Sequence, residues 1–335
     1  MTPPVPLVQR ESRQVVLACH SALFPLNPDV RALVQAALKV FQQRHQKREN
    51  QLRIQLHGRL YRRGGMIAGL VAAAGLIVAG GAAASASSSR PSGHLGKALP
   101  TVVLEHGAWA DSSSWSAVVS RLQHDGFTVD VPPNPLQGLA FDPAYLADFL
   151  HTITGPIILV GHSYGGAVIT NAATGDKQVK ALVYVDAFLP AKGQTLGELV
   201  TNKPGSCVVN PSNLTFAPFP GAPKGVVDAY VKQSVFPSCM ANGLPASEAR
   251  VLAATQRPLS TIALTQKSGV PAWKTIPSWA VIGTADHAIP PAELILMAKK
   301  AGAHITLVKG APHLSMISNP GVVTRVILQA VRATS

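Results

Sequence analysis

Pro156-Ile157-Ile158-Leu159-Val160 runs directly into Gly161-His162-Ser163-Tyr164-Gly165-Gly166, and the reading of this stretch decides the fold. Four branched apolar residues without polar alternation predict a strand buried on both faces, as in a parallel sheet. Gly-x-Ser-x-Gly follows at once, and Ala167-Val168-Ile169-Thr170-Asn171-Ala172-Ala173 continues as a helix. Strand, sharp turn and helix are the context that a nucleophile elbow requires. A serine at the apex of so tight a turn needs neighbours without side chains, which Gly161 and Gly165 supply. Ser163 Oγ then stands at the carboxyl edge of the sheet. The start of the helix brings free N–H groups and a positive dipole end to the same place.

Outward from this stretch the chain repeats one rhythm. Strands are predicted at 101–104, 127–131, 181–185, 278–282 and 304–308, and helices at 112–124, 143–152, 291–301 and 322–331. Asp111 or Ser112 caps the first helix and Gly126 stops it. Strands alternating with helices predict an α/β fold, a mostly parallel sheet with helices on both faces. Between 187 and 276 the rhythm breaks. That insertion is rich in Pro, Gly and Ser, no sheet strand is expected in it, and short helical pieces are expected at 225–235 and 246–255. Its place, after the strand that follows the elbow, suits a lid over the site. Cys207 and Cys239 both lie in it, and either a disulfide in an exported domain or two buried thiols is compatible with the sequence.

A serine hydroxyl is a poor nucleophile at neutral pH and needs a base within hydrogen-bond reach, fixed in turn by a carboxylate. In this architecture the partners follow the serine, acid before histidine. Trp279-Ala280-Val281-Ile282-Gly283-Thr284-Ala285-Asp286 is a buried strand ending in an acid, and Gly310-Ala311-Pro312-His313 places a histidine in a loop on the same rim. The expected set is Ser163, Asp286 and His313. Asp186, also at a strand end, is the alternative acid. His287 is expected to point away, and His162 to pack within the turn. An oxyanion site needs backbone N–H groups, here those of Tyr164 and Ala108, with Gly107 permitting close approach and His106 bracing the loop. Trp109 and Trp273 are the aromatic candidates for an apolar substrate pocket.

Composition bounds the rest. Charged residues make up 13% of the 335, so a large core can form. The net charge of +13 invites a nucleic-acid reading until it is divided. Residues 1–65 hold eleven Lys/Arg against three Asp/Glu, the remainder eighteen against thirteen. No basic stripe interleaved with aromatics follows, so no nucleic-acid partner is expected. Three cysteines exclude a disulfide scaffold, and His106, His162, His287 and His313 are too scattered for a metal site.

The front of the chain reads differently. Residues 1–63 form a basic tail in which Leu33, Ala37, Val40 and Phe41 share one helical face ahead of Arg44, Lys47, Arg48 and Arg53. From 64 to 86 no charge appears. Arg62-Arg63 precede this apolar core, and Ala84-Ser85-Ala86 offers a small-x-small cleavage site, together the parts of a signal peptide. A run of this length also suits a signal anchor. Sixty-three residues are long for the region ahead of a signal core. Either translation starts downstream of Met1 or the segment anchors a cytoplasmic tail. Residues 87–98 read as a linker. Both alternatives place the later part outside the cell, with membrane contact only through 64–86.

Residues 99–335 resemble the α/β-hydrolase superfamily, in the compact branch that holds bacterial esterases and resembles plant methylesterases and hydroxynitrile lyases. HGAW (106–109), GHSYGG (161–166), GTADHAIPP (283–291) and PHLSMISNP (312–320) stand in that branch's order. The resemblance implies a serine hydrolase without a cofactor, acting on a small-molecule ester or lactone. Serine at 163 sets the chain apart from the epoxide-hydrolase and dehalogenase relatives, which carry Asp there. Two rival readings accompany it. One is a hydroxynitrile-type lyase, for which Lys274 is the candidate extra lysine. The other is a ligand receptor on the same scaffold. Residues 1–98 lie outside the resemblance.

Overall fold

The apolar run at 157–160 becomes the centre of a parallel sheet because both of its faces find cover. The computed structural model describes residues 99–334. The basic tail, the apolar segment 64–86 and the linker 87–98 therefore lie outside the described residues. In chain order the strands begin with β1 (Thr101–Glu105), β2 (Val129–Asp130), β3 (Ile157–His162) and β4 (Val179–Val185). Then β5 (Leu214–Ala217), β6 (Asp228–Val231) and β7 (Leu259–Ser260) form a separate antiparallel sheet, and β8 (Ser278–Gly283) and β9 (His304–Val308) return to the first. The main sheet runs β2-β1-β3-β4-β8-β9 with every neighbouring pair parallel.

The helices are α1 (Ser116–His124), α2 (Asp142–Leu150), α3 (Tyr164–Ala172), α4 (Leu196–Thr201), α5 (Phe236–Cys239), α6 (Ala246–Thr255), α7 (Pro291–Lys300), α8 (Ser315–Ser318) and α9 (Pro320–Thr334). Every residue of β3 is buried, which an alternating strand with one wet face would not allow. Helix α3 lies on β1, β3 and β4 and packs against α2; α9 lies on β3, β4 and β8 and packs against α1. Val323, Val326, Ile327, Ala330 and Val331 bury one stripe of α9 at helical spacing. Each large apolar side chain so buried contributes about 1.5–3 kcal/mol, so a charge at Ile327 would detach the helix. None of the described helices is long and apolar enough to cross a membrane.

From β1 the chain steps one way to β2 and then the other way to β3. The carboxyl ends of β1 and β3 therefore flank the switch point, where an open α/β sheet offers its crevice.

Several expectations change. The strand expected at 127–131 shrinks to two half-buried residues, because it is an edge and Pro132-Pro133 have no amide to offer the ladder. The first helix opens with a 3-10 turn at Ser112–Trp115, whose amide at Ser113 is capped by the Asp111 carboxylate at 2.7 Å. The last helix extends at both ends. The insertion does contain strands. Residues 225–235, expected as helix, hold β6, whose half-buried and buried residues alternate with period two. Only 246–255 forms the helix expected there. Cys207 and Cys239 are joined as a disulfide with Cα atoms 5.7 Å apart.

Candidate active site

The turn between β3 and α3 is strained and held. Ser163 has φ +52° and ψ −121°, a conformation costing about 1–3 kcal/mol for a residue with a Cβ. Its amide donates to Val185 O at 3.2 Å, and its carbonyl accepts from Gly166 and Phe188 at 3.0 and 3.1 Å. A Cβ on Gly161 or Gly165 would lie 2.7 or 2.6 Å from backbone oxygen, so the turn closes only with glycine there. Trp109 (φ +58°) and Asp186 (φ +46°), in the loops after β1 and β4, are likewise left-handed. Strain is thus concentrated along the rim around Ser163.

The structure brings Ser163, His313 and Asp286 together. Ser163 Oγ lies 2.8 Å from His313 Nε2, and His313 Nδ1 lies 2.7 Å from Asp286 Oδ2. The carboxylate accepts, so Nδ1 carries the proton and Nε2 offers its lone pair to the serine hydroxyl. The other Asp286 oxygen accepts from the amides of Ala288 and Ile289 at 2.8 and 2.9 Å. Burial works against a charged His313. The Asp286 carboxylate and its hydrogen bond, with Asp186 behind, outweigh that and hold the imidazole above its ordinary 6.5.

Asp186, the alternative acid, does not touch His313. Its carboxylate accepts from the Gly283 amide at 2.6 Å, the Ser315 amide at 3.2 Å and the Ser315 hydroxyl. It thereby stitches the end of β4 to β8 and to the residues just past His313. Burial, then the nearby Asp286 charge, raises its pKa to about 7. His287 points away, its Nδ1 donating to Ser238 O at 2.9 Å.

Two buried histidines act as braces. His106 donates from Nδ1 to Gly107 O and accepts at Nε2 from the Asn134 amide, both at 3.0 Å. Both nitrogens are satisfied only in the neutral ring, and burial lowers its pKa to about 4. His162 does more than pack. Its Nε2 donates to the His313 carbonyl at 3.0 Å, and burial, with His313 close by, drives its pKa well down. That role was not legible, because it depends on a contact 151 residues away.

A cavity of about 280 Å³ opens over Ser163 and His313. Ala108, in the loop after β1, and Tyr164, at the start of α3, both line the same space. The wall is apolar: Phe188, Leu196, Val200, Leu259, Leu264 and Ile289 contribute, and no Lys, Arg, Asp or Glu is present in it. Its polar side chains are already engaged. Tyr164 OH donates to Asp142 at 2.6 Å, Trp109 Nε1 to Ala229 O at 2.8 Å and Thr201 Oγ1 to Gly197 O at 2.8 Å. Val209 and Phe216, 43% and 47% exposed, make the entrance apolar too.

Trp109 lines this cavity as expected, but Trp273 does not. It sits in the 3-10 turn Ala272–Lys274, packed against α3, and donates Nε1 to Pro190 O at 3.2 Å. Lys274 beside it is exposed and is not part of the wall either. Apart from Ala288 and Ile289, beside Asp286, the remaining wall residues come from the insertion, whose strands gave no local signal in the sequence.

Known proteins are similar to this chain in sequence and fold. A carbendazim-hydrolyzing esterase of Nocardioides sp. (strain SG-4G) is 33% identical over 111 residues, 29% of this chain and 46% of that protein, so the chain matches about half its length. The alpha/beta hydrolase nvfD of Aspergillus novofumigatus (strain IBT 16806) is 24% identical over 253 residues, 69% of this chain and 96% of that one. The crystal structure of a methylesterase from Arabidopsis superposes with a TM-score of 0.57 at 16% identity, covering 70% of this chain and 99% of its own. The alpha/beta hydrolase family matches residues 102–326, from β1 into α9. Sheet order, strained serine turn and family match agree, and the chain belongs to the alpha/beta hydrolase family.

Proposed function

We propose that this protein is a serine hydrolase that cleaves small, uncharged carboxylic esters or lactones through an acyl-enzyme. One observation carries the reading. An unbroken hydrogen-bond chain of 2.8 and 2.7 Å links Ser163, His313 and Asp286, and Ser163 and His313 open onto an apolar cavity that Ala108 and Tyr164 also line.

Ser163 Oγ attacks the ester carbonyl as its proton passes to His313 Nε2. Asp286 holds the tautomer and stabilises the imidazolium that forms. The carbonyl oxygen becomes an oxyanion facing the Ala108 and Tyr164 amides, which are fixed by the fold before reaction and need no reorganisation. The C–O bond breaks as His313 returns the proton to the leaving alkoxide. Water, deprotonated by the same imidazole, then releases the acid from the serine. A wall without charged groups excludes ionised substrates, because a carboxylate there would lose its hydration without a partner. The esterase from Nocardioides, whose name states that it hydrolyses carbendazim, is in keeping with a neutral ester-like substrate. The cavity volume sets the scale of a small molecule.

We also propose that residues 64–86 direct export or anchor the chain, leaving the hydrolase unit in an oxidising compartment where the Cys207–Cys239 bridge persists.

The test is a panel of p-nitrophenyl esters, lactones and mandelonitrile, with a fluorophosphonate probe. Wild type is expected to turn over the neutral esters and label at one serine, and Ser163→Ala to lose both. Labelling of Ser163→Ala with turnover intact would overturn the assignment. Cleavage of mandelonitrile alone would favour lyase chemistry. Ligand binding with no turnover would leave a receptor.

A further inference from the structure

The loop 285–289 carries Asp286, and three of its carbonyls are held by the insertion. Ala285 O accepts from Asn242 Nδ2 at 2.8 Å, His287 O from the Cys207 amide at 2.8 Å and Ala288 O from Ser206 Oγ at 2.7 Å. His287 Nδ1 adds a hydrogen bond to Ser238 O at 2.9 Å. These partners come from two short stretches of the insertion, Ser206 and Cys207 on one side and Ser238 to Asn242 on the other. The disulfide joins those two stretches, its cysteines 32 residues apart in the chain. Asn213 reinforces the first stretch, donating Nδ2 to Cys207 O at 2.8 Å. The bridge therefore closes a ring of hydrogen bonds onto the acid loop.

We infer that the Cys207–Cys239 bridge is a positioning device for catalysis: it clamps the 285–289 loop so that Asp286 stays in register with His313. The inference rests on the Ser163–His313–Asp286 assignment proposed above. Three carbonyls and one imidazole of a five-residue loop all bond to the bridged stretches. Separating those stretches lets the loop shift as a unit, and a displacement of about 1 Å at a catalytic carboxylate is enough to cost about 100-fold in rate. The same stretches run on into the cavity wall at Val208, Val209 and Pro211, so clamp and substrate entrance are one piece. A dithiol opens the bridge by thiol–disulfide exchange. Dithiothreitol supplies two electrons and two protons, the S–S bond becomes two thiols, and the reagent closes to its cyclic disulfide.

The experiment uses purified full chain with the bridge intact and p-nitrophenyl acetate as probe, with turnover expressed per fluorophosphonate-titrated site. Compared are oxidised wild type, dithiothreitol-treated wild type, Cys207→Ser, Cys239→Ser and the double variant. Opening the bridge is expected to lower kcat/KM by about 10- to 100-fold. Each single variant should match the double, since either substitution removes the whole bridge. A purely stabilising bridge would not move the pH profile, so that profile decides. Around His313 the titratable groups are Asp286, Asp186 and His162. Loss of register with Asp286 lowers the His313 pKa, so the acid limb of kcat/KM should move to lower pH, as in Asp286→Asn. Oxidised glutathione should restore both rate and limb in the reduced wild type. A normal rate and limb with the bridge open, even at a reduced melting temperature, would overturn the inference. Should the cysteine variants not fold, the reduction and reoxidation arm decides alone. Failure of the triad assignment itself is recognised separately, by an active Ser163→Ala.

Discussion

At the scale of single residues, two aspartates on one rim are separated by what they touch. Asp286 faces His313 Nδ1, whereas Asp186 is spent on Gly283 and Ser315. On the proposed chemistry Asp286→Asn should lose about 10⁴-fold in kcat, and Asp186→Asn far less; the reverse outcome would make Asp186 the acid. The pH dependence follows from the signs. His313 must be neutral to act as base, and its pKa lies above the ordinary 6.5 because Asp286 and Asp186 outweigh the effect of burial. Activity therefore falls as pH drops through that raised value, and removing the Asp286 charge should shift the limb to lower pH. Asp186 makes a different, thermodynamic prediction. Its folded pKa of about 7 stands above the ordinary 3.8. The folded state keeps a proton that the unfolded chain has lost, so this contribution is complete below about pH 4 and is lost as pH rises to about 7. Melting temperatures from pH 4 to 7 should fall with a shallower slope in Asp186→Asn than in wild type.

At the scale of elements, the sequence was legible wherever a local rule decided the outcome. The apolar run at 157–160, the glycines around Ser163, and the acid and histidine in the loops past β8 and β9 each announce themselves within a few residues. Order along the chain then assembles them on one rim. Long-range contacts were not legible. The bond from His162 to the His313 carbonyl spans 151 residues, and Trp273 left the pocket because its turn packs on α3. The insertion misled for a related reason: β6 is four residues long, too short for its period to stand out from the surrounding Pro and Gly. Its disulfide makes a prediction of stability as distinct from rate. Closing a loop of about 32 residues contributes roughly 3–4 kcal/mol in the chain-entropy model. Reduction should lower the melting temperature by about 10 °C for a domain of this size, and mass spectrometry of non-reduced peptides should recover the linked pair. Two alkylatable thiols in the native protein would remove the bridge from both arguments.

At the scale of the whole molecule, charge is divided unevenly, and the division bears on where the enzyme works. Eleven of the 29 Lys/Arg lie in residues 1–65, ahead of the uncharged run 64–86. A cleaved signal leaves a hydrolase unit that begins near Ser87 and has shed that basic excess. A signal anchor keeps the basic segment on the cytoplasmic side, as the positive-inside rule requires. Both place Ser163 and the Cys207–Cys239 bridge outside, where a disulfide survives the cell's thiol reductants, so the bridge does not separate them. The mature amino terminus does. Cleavage after Ala86 predicts that sequencing of the protein from its native host starts at Ser87, with activity in the soluble fraction. An anchor predicts an intact front and activity that sediments with membranes until detergent releases it. Soluble activity in the cytoplasm with Met1 still in place would refute export altogether. The bridge would then stand among reducing thiols, and the clamp on the Asp286 loop would be open for most of the enzyme's life.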